Sequence, residues 1–225
     1  MGELGVVSET MGMNAGIRKA LVALPTRRLF EPRFVIVGTG RSGTRYISEV
    51  LTASGIRCGH EQWWGLGGRS MRLDGDASWL ATFQLDGYRG RVFHQVRDPI
   101  KVIRSLVGLD LSSRQRNRRW TQYRALVMGG LSNDPVFDAM RIVDMWVTES
   151  EGVAERTWRV EDVDAELISE IAEAIGKQAT PELDIPRDLN TRTDIKQVVD
   201  LDWGNLPNST MKDRLMNLAA RYGYL

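Results

Sequence analysis

The chain contains a single cysteine, Cys58, among its 225 residues. One cysteine excludes an intramolecular disulfide and a cysteine-rich zinc site, and it is compatible with a reducing compartment. Long apolar runs are also missing. The apolar run at residues 20–24 ends at Pro25, whereas a transmembrane helix needs about 20 apolar residues. We therefore expect a cytoplasmic protein with no signal peptide and no membrane span.

The sequence also has no excess of charge of either sign. Its formal net charge is +1 at pH 7, so no global field attracts nucleic acid or an anionic membrane, and nucleic acid is not expected as a partner. The sequence shows no internal repeat, which argues against a solenoid. Residues 1–30 are predicted to form a tail with a short helix, and residues 31–225 a single α/β domain.

Hydrophobic patterns alternate between short strands and longer helices along this domain, which predicts a central parallel sheet flanked by helices. The predicted strands are residues 33–37, 56–58, 91–96 and 156–160. The predicted helices are residues 44–54, 79–85, 99–106, 120–128, 135–150, 165–175 and 211–222. Residues 65–78 are predicted to form a loop, and Glu161 and Asp162 to cap the helix that follows them.

The segment FVIVGTGRSGTRYISEV, residues 34–50, contains the strongest signal. A short apolar strand leads into a glycine-rich turn and then into an amphipathic helix. This order predicts that backbone amides at the helix N-terminus surround an anion. The predicted amide donors are those of Ser42, Gly43, Thr44 and Arg45, and the Thr44 hydroxyl adds another donor.

The loop departs from the ATP-binding P-loop, which reads GxxxxGK[ST]. Gly38 and Gly43 have the required spacing, but Thr44 occupies the position of the lysine. The cationic side chains stand on either side of it, at Arg41 and Arg45. The loop therefore predicts an anion site of another kind.

A second anion motif lies in HQVRDPIKVIRS, residues 94–105. Arg97 ends a predicted strand, at the edge where α/β sheets bind ligands. Pro99 suits the first turn of the next helix, and Ser105 follows Arg97 by eight positions. The structural alternative is that Arg97 pairs with Asp98 or another carboxylate and braces the sheet.

Both motifs resemble those of sulfotransferases that use 3′-phosphoadenosine 5′-phosphosulfate (PAPS). The loop GTGRSGTRYI resembles their 5′-phosphosulfate loop, [KR]-S-G-T-x-x-[LI], and VRDPIKVIRS resembles their pattern v-R-[DN]-P-x-x-x-x-x-S. The resemblance covers residues 33–106 well and residues 140–225 loosely. It implies a P-loop-like sulfotransferase fold, with PAPS as co-substrate, its product PAP, and no metal.

The resemblance also implies roles for individual residues. Arg41 would contact the leaving phosphate, Tyr46 would lie near the adenine, and Arg97 and Ser105 would bind the 3′-phosphate. The expected donor-binding set is Arg41, Ser42, Gly43, Thr44, Arg45, Tyr46, Arg97 and Ser105.

A sulfuryl acceptor must lose a proton, so the site needs a base at the end of a neighbouring strand. Glu61 is the best placed and His60 is the alternative, since related enzymes use either a glutamate from this region or a histidine. His94 is interpreted as a buried, hydrogen-bonded residue. Trp63 and Trp64 form either a wall for the acceptor or ordinary core.

The resemblance implies a sulfotransferase that acts on a hydroxyl or amine of a small-molecule, glycan or lipid acceptor. One alternative is a P-loop nucleotide or small-molecule kinase, which would close the basic loop Arg114–Arg119 over ATP. Another is a non-catalytic module that binds PAP or a nucleotide. The basic loop can equally be a solvated turn.

Overall fold

The apolar run FVIV forms β1, Phe34–Val37, and all four residues are buried. The computed structural model describes residues 31–65, 72–113, 118–186, 200–207 and 209–225. Phe34 and Ile36 point into one hydrophobic cluster, and Val35 and Val37 point into another. The predicted burial of this strand on both faces is therefore confirmed.

β1 belongs to a five-stranded parallel sheet. The other strands are β2 (Cys58–His60), β3 (Gly75–Ala77), β4 (Arg91–Val96) and β5 (Arg156–Arg159). Their order is β2-β3-β1-β4-β5, so β1 is the middle strand. It pairs with β3 and β4, and Phe34 lies between Gly75 and Arg91.

Helices cover both faces of this sheet. They are α1 (Thr44–Ala53), α2 (Pro99–Ser113), α3 (Arg118–Met128), α4 (Pro135–Val153), α5 (Ala165–Ala174) and α6 (Thr210–Arg221). Within the described ranges, two short 3-10 helices, Ala81–Phe83 and Val160–Asp162, connect other elements. The predicted class, a single α/β domain with a parallel sheet flanked by helices, is confirmed, while residues 1–30 lie outside the described residues.

Two cores result from this layering. On one face, α1 and α5 pack against the sheet through Ile47, Leu51, Leu167 and Ile168. On the other face, the long helix α4 contributes Met140 and Trp146, which are fully buried. In the described part of the chain, no helix is long and apolar enough to cross a membrane.

The region between β2 and β4 differs most from the prediction. β3 lies inside the predicted loop 65–78, and β2 begins at Cys58, where the predicted strand ends. β3 is hidden from sequence patterns because Gly75 and Asp76 are poor strand formers. Gly75 is required by its neighbour, since a Cβ there would overlap the ring of Phe34.

The predicted capping of α5 by Glu161 and Asp162 is wrong. Asp164 is the N-cap, and its carboxylate accepts from the Leu167 amide at 2.8 Å. Asp162 instead pairs with Arg159 at 2.6 Å. Glu161 accepts from the Tyr224 hydroxyl at 2.6 Å. Glu161 therefore fastens the chain's C-terminal end to the segment after β5, and Asp162 binds the last residue of β5.

Candidate active site

The glycine-rich loop between β1 and α1 has the backbone of an anion cradle. Arg41 and Gly43 both have left-handed conformations, with φ of 77° and 95°. Gly43 is the N-cap of α1, and no side chain of the described residues caps this helix. Amides in the first turn of a helix have no intrahelical partner, so they are suited to bind a ligand.

One predicted donor has a different role within this loop. The amide of Ser42 donates to the Thr39 carbonyl oxygen at 3.1 Å, so it closes the turn itself. The Ser42 hydroxyl is completely buried and has no hydrogen-bond partner among the described residues.

Gln95 on β4 holds the glycine-rich loop in place, a role that the sequence analysis did not predict. Its side-chain amide donates to the Ser42 carbonyl oxygen at 3.0 Å. Its own oxygen accepts from the Trp158 indole at 3.2 Å. Gln95 is fully buried on β4, two residues before Arg97. Its position inside a strand, next to the second motif, was the available signal.

The structure brings the two sequence motifs together at one point. Arg41 donates from Nε to the Ser105 hydroxyl at 2.7 Å. Arg97 donates to the Arg41 carbonyl oxygen at 3.3 Å. Asp98 is engaged elsewhere, since it accepts from the Ile100 amide at 3.0 Å and lies 3.9 Å from Lys101. The alternative in which Arg97 pairs with Asp98 is therefore not what the structure has.

Arg45 and Tyr46 complete the loop motif, and their side chains have different surroundings. Arg45 is exposed and lies 3.8 Å from Glu49, one turn along α1. Tyr46 is 4% exposed and packs in the core between α1 and the sheet. Its ring is therefore part of the core, whereas the resemblance implies a position near the adenine.

The candidate bases His60 and Glu61 lie at the end of β2. Their side chains approach to 3.7 Å between His60 Nε2 and Glu61 Oε1. His60 Nε2 also lies 3.2 Å from the Thr44 hydroxyl. The two candidate bases are thus connected, through His60, to Thr44, the first residue of α1.

Electrostatics separate the two candidates. Burial raises the pKa of Glu61 to about 7, and Asp76 adds to the shift, while a hydrogen bond from the Trp79 side chain and the charge of Arg124 oppose it. Burial lowers the pKa of His60 to about 4, and Arg45 contributes. At neutral pH, Glu61 can therefore exchange a proton, whereas His60 stays neutral and is a weak base.

Trp63 and Trp64 are core residues rather than an open wall. Each is 4% exposed, and both belong to the cluster that contains Trp146. Trp64 packs edge-on against Tyr88 at 5.3 Å between ring centroids. The structure thus favours the interpretation of this tryptophan pair as ordinary core over that of a wall for the acceptor.

His94 is completely buried on β4, as expected. Its Nδ1 lies 3.3 Å from the Thr157 hydroxyl, while Nε2 has no hydrogen-bond partner among the described residues. Burial, with a contribution from the charge of Arg221, lowers the pKa of His94 to about 3. His94 is therefore neutral at pH 7.

The predicted basic loop is only partly described. Arg118 and Arg119 belong to the first turn of α3, and residues 114–117 lie outside the described residues. Across the described ranges, no group of three or more His, Cys, Asp or Glu side chains is arranged to hold a metal ion.

Comparisons with known proteins add little to this geometry. No protein-family model matches the chain, and no curated protein matches it. The crystal structure of a sulfotransferase from Alicyclobacillus acidocaldarius is similar, with a TM-score of 0.44 and 13% sequence identity, over 86% of this chain and 92% of that chain. A likeness this distant supports no conclusion about activity, so the functional case depends on the site.

Proposed function

We propose that this protein is a PAPS-dependent sulfotransferase that transfers a sulfuryl group to a hydroxyl or amine of a small-molecule, glycan or lipid acceptor. The observation that carries the proposal is the meeting of the two motifs. Arg41 lies 2.7 Å from Ser105, and Arg97 holds the Arg41 backbone. Residues that would hold a 5′-phosphosulfate and a 3′-phosphate thus belong to one cationic cluster.

The donor set fits PAPS in its chemistry. The uncapped N-terminus of α1 offers amide donors, Arg41 and Arg97 offer charge, and Ser105 offers a hydroxyl. Arginine and helix N-termini are the usual protein partners of phosphate groups. PAPS carries its sulfuryl group on a phosphosulfate anhydride. Transfer to the acceptor would break this anhydride bond and release PAP.

The residues of the chain would divide the work as follows. Arg41 stabilises the negative charge that develops on the 5′-phosphate. Arg97 and Ser105 bind the 3′-phosphate and keep Arg41 in place. Glu61 accepts the proton of the attacking hydroxyl, which its pKa of about 7 makes feasible at neutral pH.

The kinase alternative has less support at this site. Asp76 on β3 is the carboxylate nearest in the sheet to β1, but its oxygens accept from the amides of Gln62, Trp63 and Trp64. A buried carboxylate that already accepts three backbone hydrogen bonds is poorly suited as a ligand for the Mg²⁺ that accompanies ATP.

The decisive experiment compares ligands in a thermal-stability assay and then measures turnover. PAP should raise the melting temperature, and ATP with Mg²⁺ should not. Labelled PAPS should then transfer its label to an acceptor in a panel of phenols, sugars, lipids and amines. Stabilisation by ATP with Mg²⁺ alone would support the kinase. Stabilisation by PAP with no transfer to any acceptor would support the binding module.

A further inference from the structure

The turn that follows β2 is unusual in its backbone. Glu61 has φ of 55°, a left-handed conformation that side-chain-bearing residues rarely adopt. The next three amides, those of Gln62, Trp63 and Trp64, all donate to the Asp76 carboxylate at 3.1, 3.0 and 3.2 Å. The turn is therefore bound to a single side chain.

Asp76 is completely buried in the middle of β3. A buried carboxylate is costly unless hydrogen bonds replace its water, and here three backbone amides do so. Gly59 makes room for it, because a Cβ at this position would lie 2.6 Å from Asp76 Oδ1. β3, which carries Asp76, and β2, which carries Gly59, thus together hold the turn that begins at Glu61.

Trp79 lies two residues beyond the end of β3 and contacts both halves of the candidate site. Its side chain hydrogen-bonds the Glu61 carboxylate. Its ring faces the anion loop, where a Cβ on Gly40 would lie 3.6 Å from the indole. The guanidinium of Arg124 stands 5.3 Å from the ring centroid. One side chain therefore connects the candidate base to the loop.

We propose that Asp76 and Trp79 are positioning residues for Glu61. Asp76 fixes the backbone turn from which Glu61 projects, and the Trp79 indole fixes the Glu61 carboxylate relative to the anion loop. This inference depends on the proposed role of Glu61 as the base. It adds a second set of residues, supplied by one short strand, that neither sequence motif contains.

The two residues act on the charge of Glu61 in opposite directions. The negative charge of Asp76 disfavours the Glu61 carboxylate, and the Trp79 hydrogen bond favours it. Among the described residues, the other charged or titratable groups that face Glu61 are Arg124 on α3, which favours the carboxylate, and His60, which is neutral at pH 7. Removing each positioning residue should therefore move the pKa of Glu61 in a different direction.

The test is a ¹³C NMR titration of the Glu61 carboxyl group, identified by its loss in Glu61→Gln. Asp76→Asn should lower the Glu61 midpoint and Trp79→Phe should raise it, each by roughly half a unit or more. Asp74→Asn is the matched control, because Asp74 is also buried but pairs with Lys177. It should leave the Glu61 midpoint unchanged.

Turnover gives the second readout. Asp76→Asn and Trp79→Phe should each lower kcat by about tenfold to a hundredfold, the cost of a misplaced group, while PAP affinity stays at the parent value. If Asp76→Asn does not fold, Trp79→Phe carries the test alone, because phenylalanine keeps a ring against Gly40. Unchanged Glu61 midpoints, or losses of kcat matched by equal losses of PAP binding, would overturn the inference.

The titration does not depend on the proposed function. If Glu61→Gln retains full turnover, Glu61 is not the base, whatever the midpoints do. If Glu61→Gln is inactive but neither substitution moves the Glu61 midpoint, the base stands and its positioning by Asp76 and Trp79 fails.

Discussion

Arg41 donates a 2.7 Å hydrogen bond from Nε to the Ser105 hydroxyl, across 64 positions of the chain. Arg97 holds the same residue at its carbonyl oxygen, at 3.3 Å. Two residues of the second motif therefore fix one residue of the glycine-rich loop. An anion bound here would meet an arginine that has already lost most of its rotamer freedom, which reduces the entropic cost of binding.

The side chain and the backbone of Arg41 can be tested separately. Arg41→Gly removes the guanidinium but suits the left-handed φ of 77°. The melting temperature should therefore stay at or above the parent value. Turnover should fall by about tenfold or more, and by a larger factor than PAP affinity, because the charge acts mainly in the transition state. Full turnover in this variant would show that Arg41 does not assist the chemistry.

Arg97→Ala tests the 3′-phosphate assignment. A charge-assisted contact to phosphate contributes about 1.5–3 kcal/mol, so PAP should bind at least about tenfold more weakly. Binding of 5′-AMP, which has no 3′-phosphate, should change much less. Arg91→Ala is the matched control, since Arg91 lies at the other end of β4 and pairs with the exposed Glu155. Equal losses for both ligands, measured by calorimetry, would contradict the assignment.

Glu61→Gln tests the base. With a Glu61 pKa of about 7, kcat/KM of the parent should rise with pH through a midpoint near neutrality. The variant should lose this rise of kcat/KM with pH, and its turnover should fall by a factor of about 10²–10⁴, while PAP binding is retained. His60→Ala should cost less, because His60 is a weak base. A near-normal Glu61→Gln enzyme together with an inactive His60→Ala enzyme would reverse the assignment.

The same substitution should stabilise the fold at alkaline pH. The pKa of Glu61 is raised from 4.5 to about 7, so its contribution to stability is present below the lower value and is lost as pH rises through the higher one. Glu61→Gln should therefore exceed the parent in the free energy of unfolding by about 2–3 kcal/mol near pH 8, and the difference should vanish below about pH 4. Urea unfolding at several pH values measures this difference.

Gly43→Ala tests how closely the loop is packed. A Cβ at Gly43 would lie 2.7 Å from Val160 Cγ2. It would also be strained by the left-handed backbone at this position, where φ is 95°. Gly55 has nearly the same φ, 90°, with nothing within 4 Å of its added Cβ. Gly55→Ala should cost about 1 kcal/mol from backbone strain alone, and Gly43→Ala about 2 kcal/mol or more. Similar losses in denaturant unfolding would show that the loop can move away.

The elements around the two motifs could be predicted from the sequence, because the residues that form these elements also form the motifs. β1, the glycine-rich loop and α1 were predictable because the strand is uniformly apolar and the glycines mark the turn. β4 was predicted with its bounds, Arg91–Val96, because it is long and ends at a proline-started helix. The meeting of Arg41 with Ser105 followed from parallel strands whose ends share one edge of the sheet.

Elsewhere the local sequence did not contain the information. Asp76 lies in a three-residue strand and is stabilised by amides of another segment, so no local pattern marks it. Trp63 and Trp64 fit a core or a ligand wall equally well until their burial is known. Asp164 caps α5 although Glu161 and Asp162 offer the same chemistry, because only the backbone at Asp164 leaves its carboxylate beside the Leu167 amide.

The order of the strands has a consequence for how the protein behaves in concentrated solution. In the described part of the chain, β2 and β5 are the outermost strands, and outer strands can recruit a strand from another molecule. β2 is only three residues long, and β5 begins and ends with arginine, at Arg156 and Arg159. A short edge on one side and a charged edge on the other both oppose edge-to-edge aggregation of the sheet.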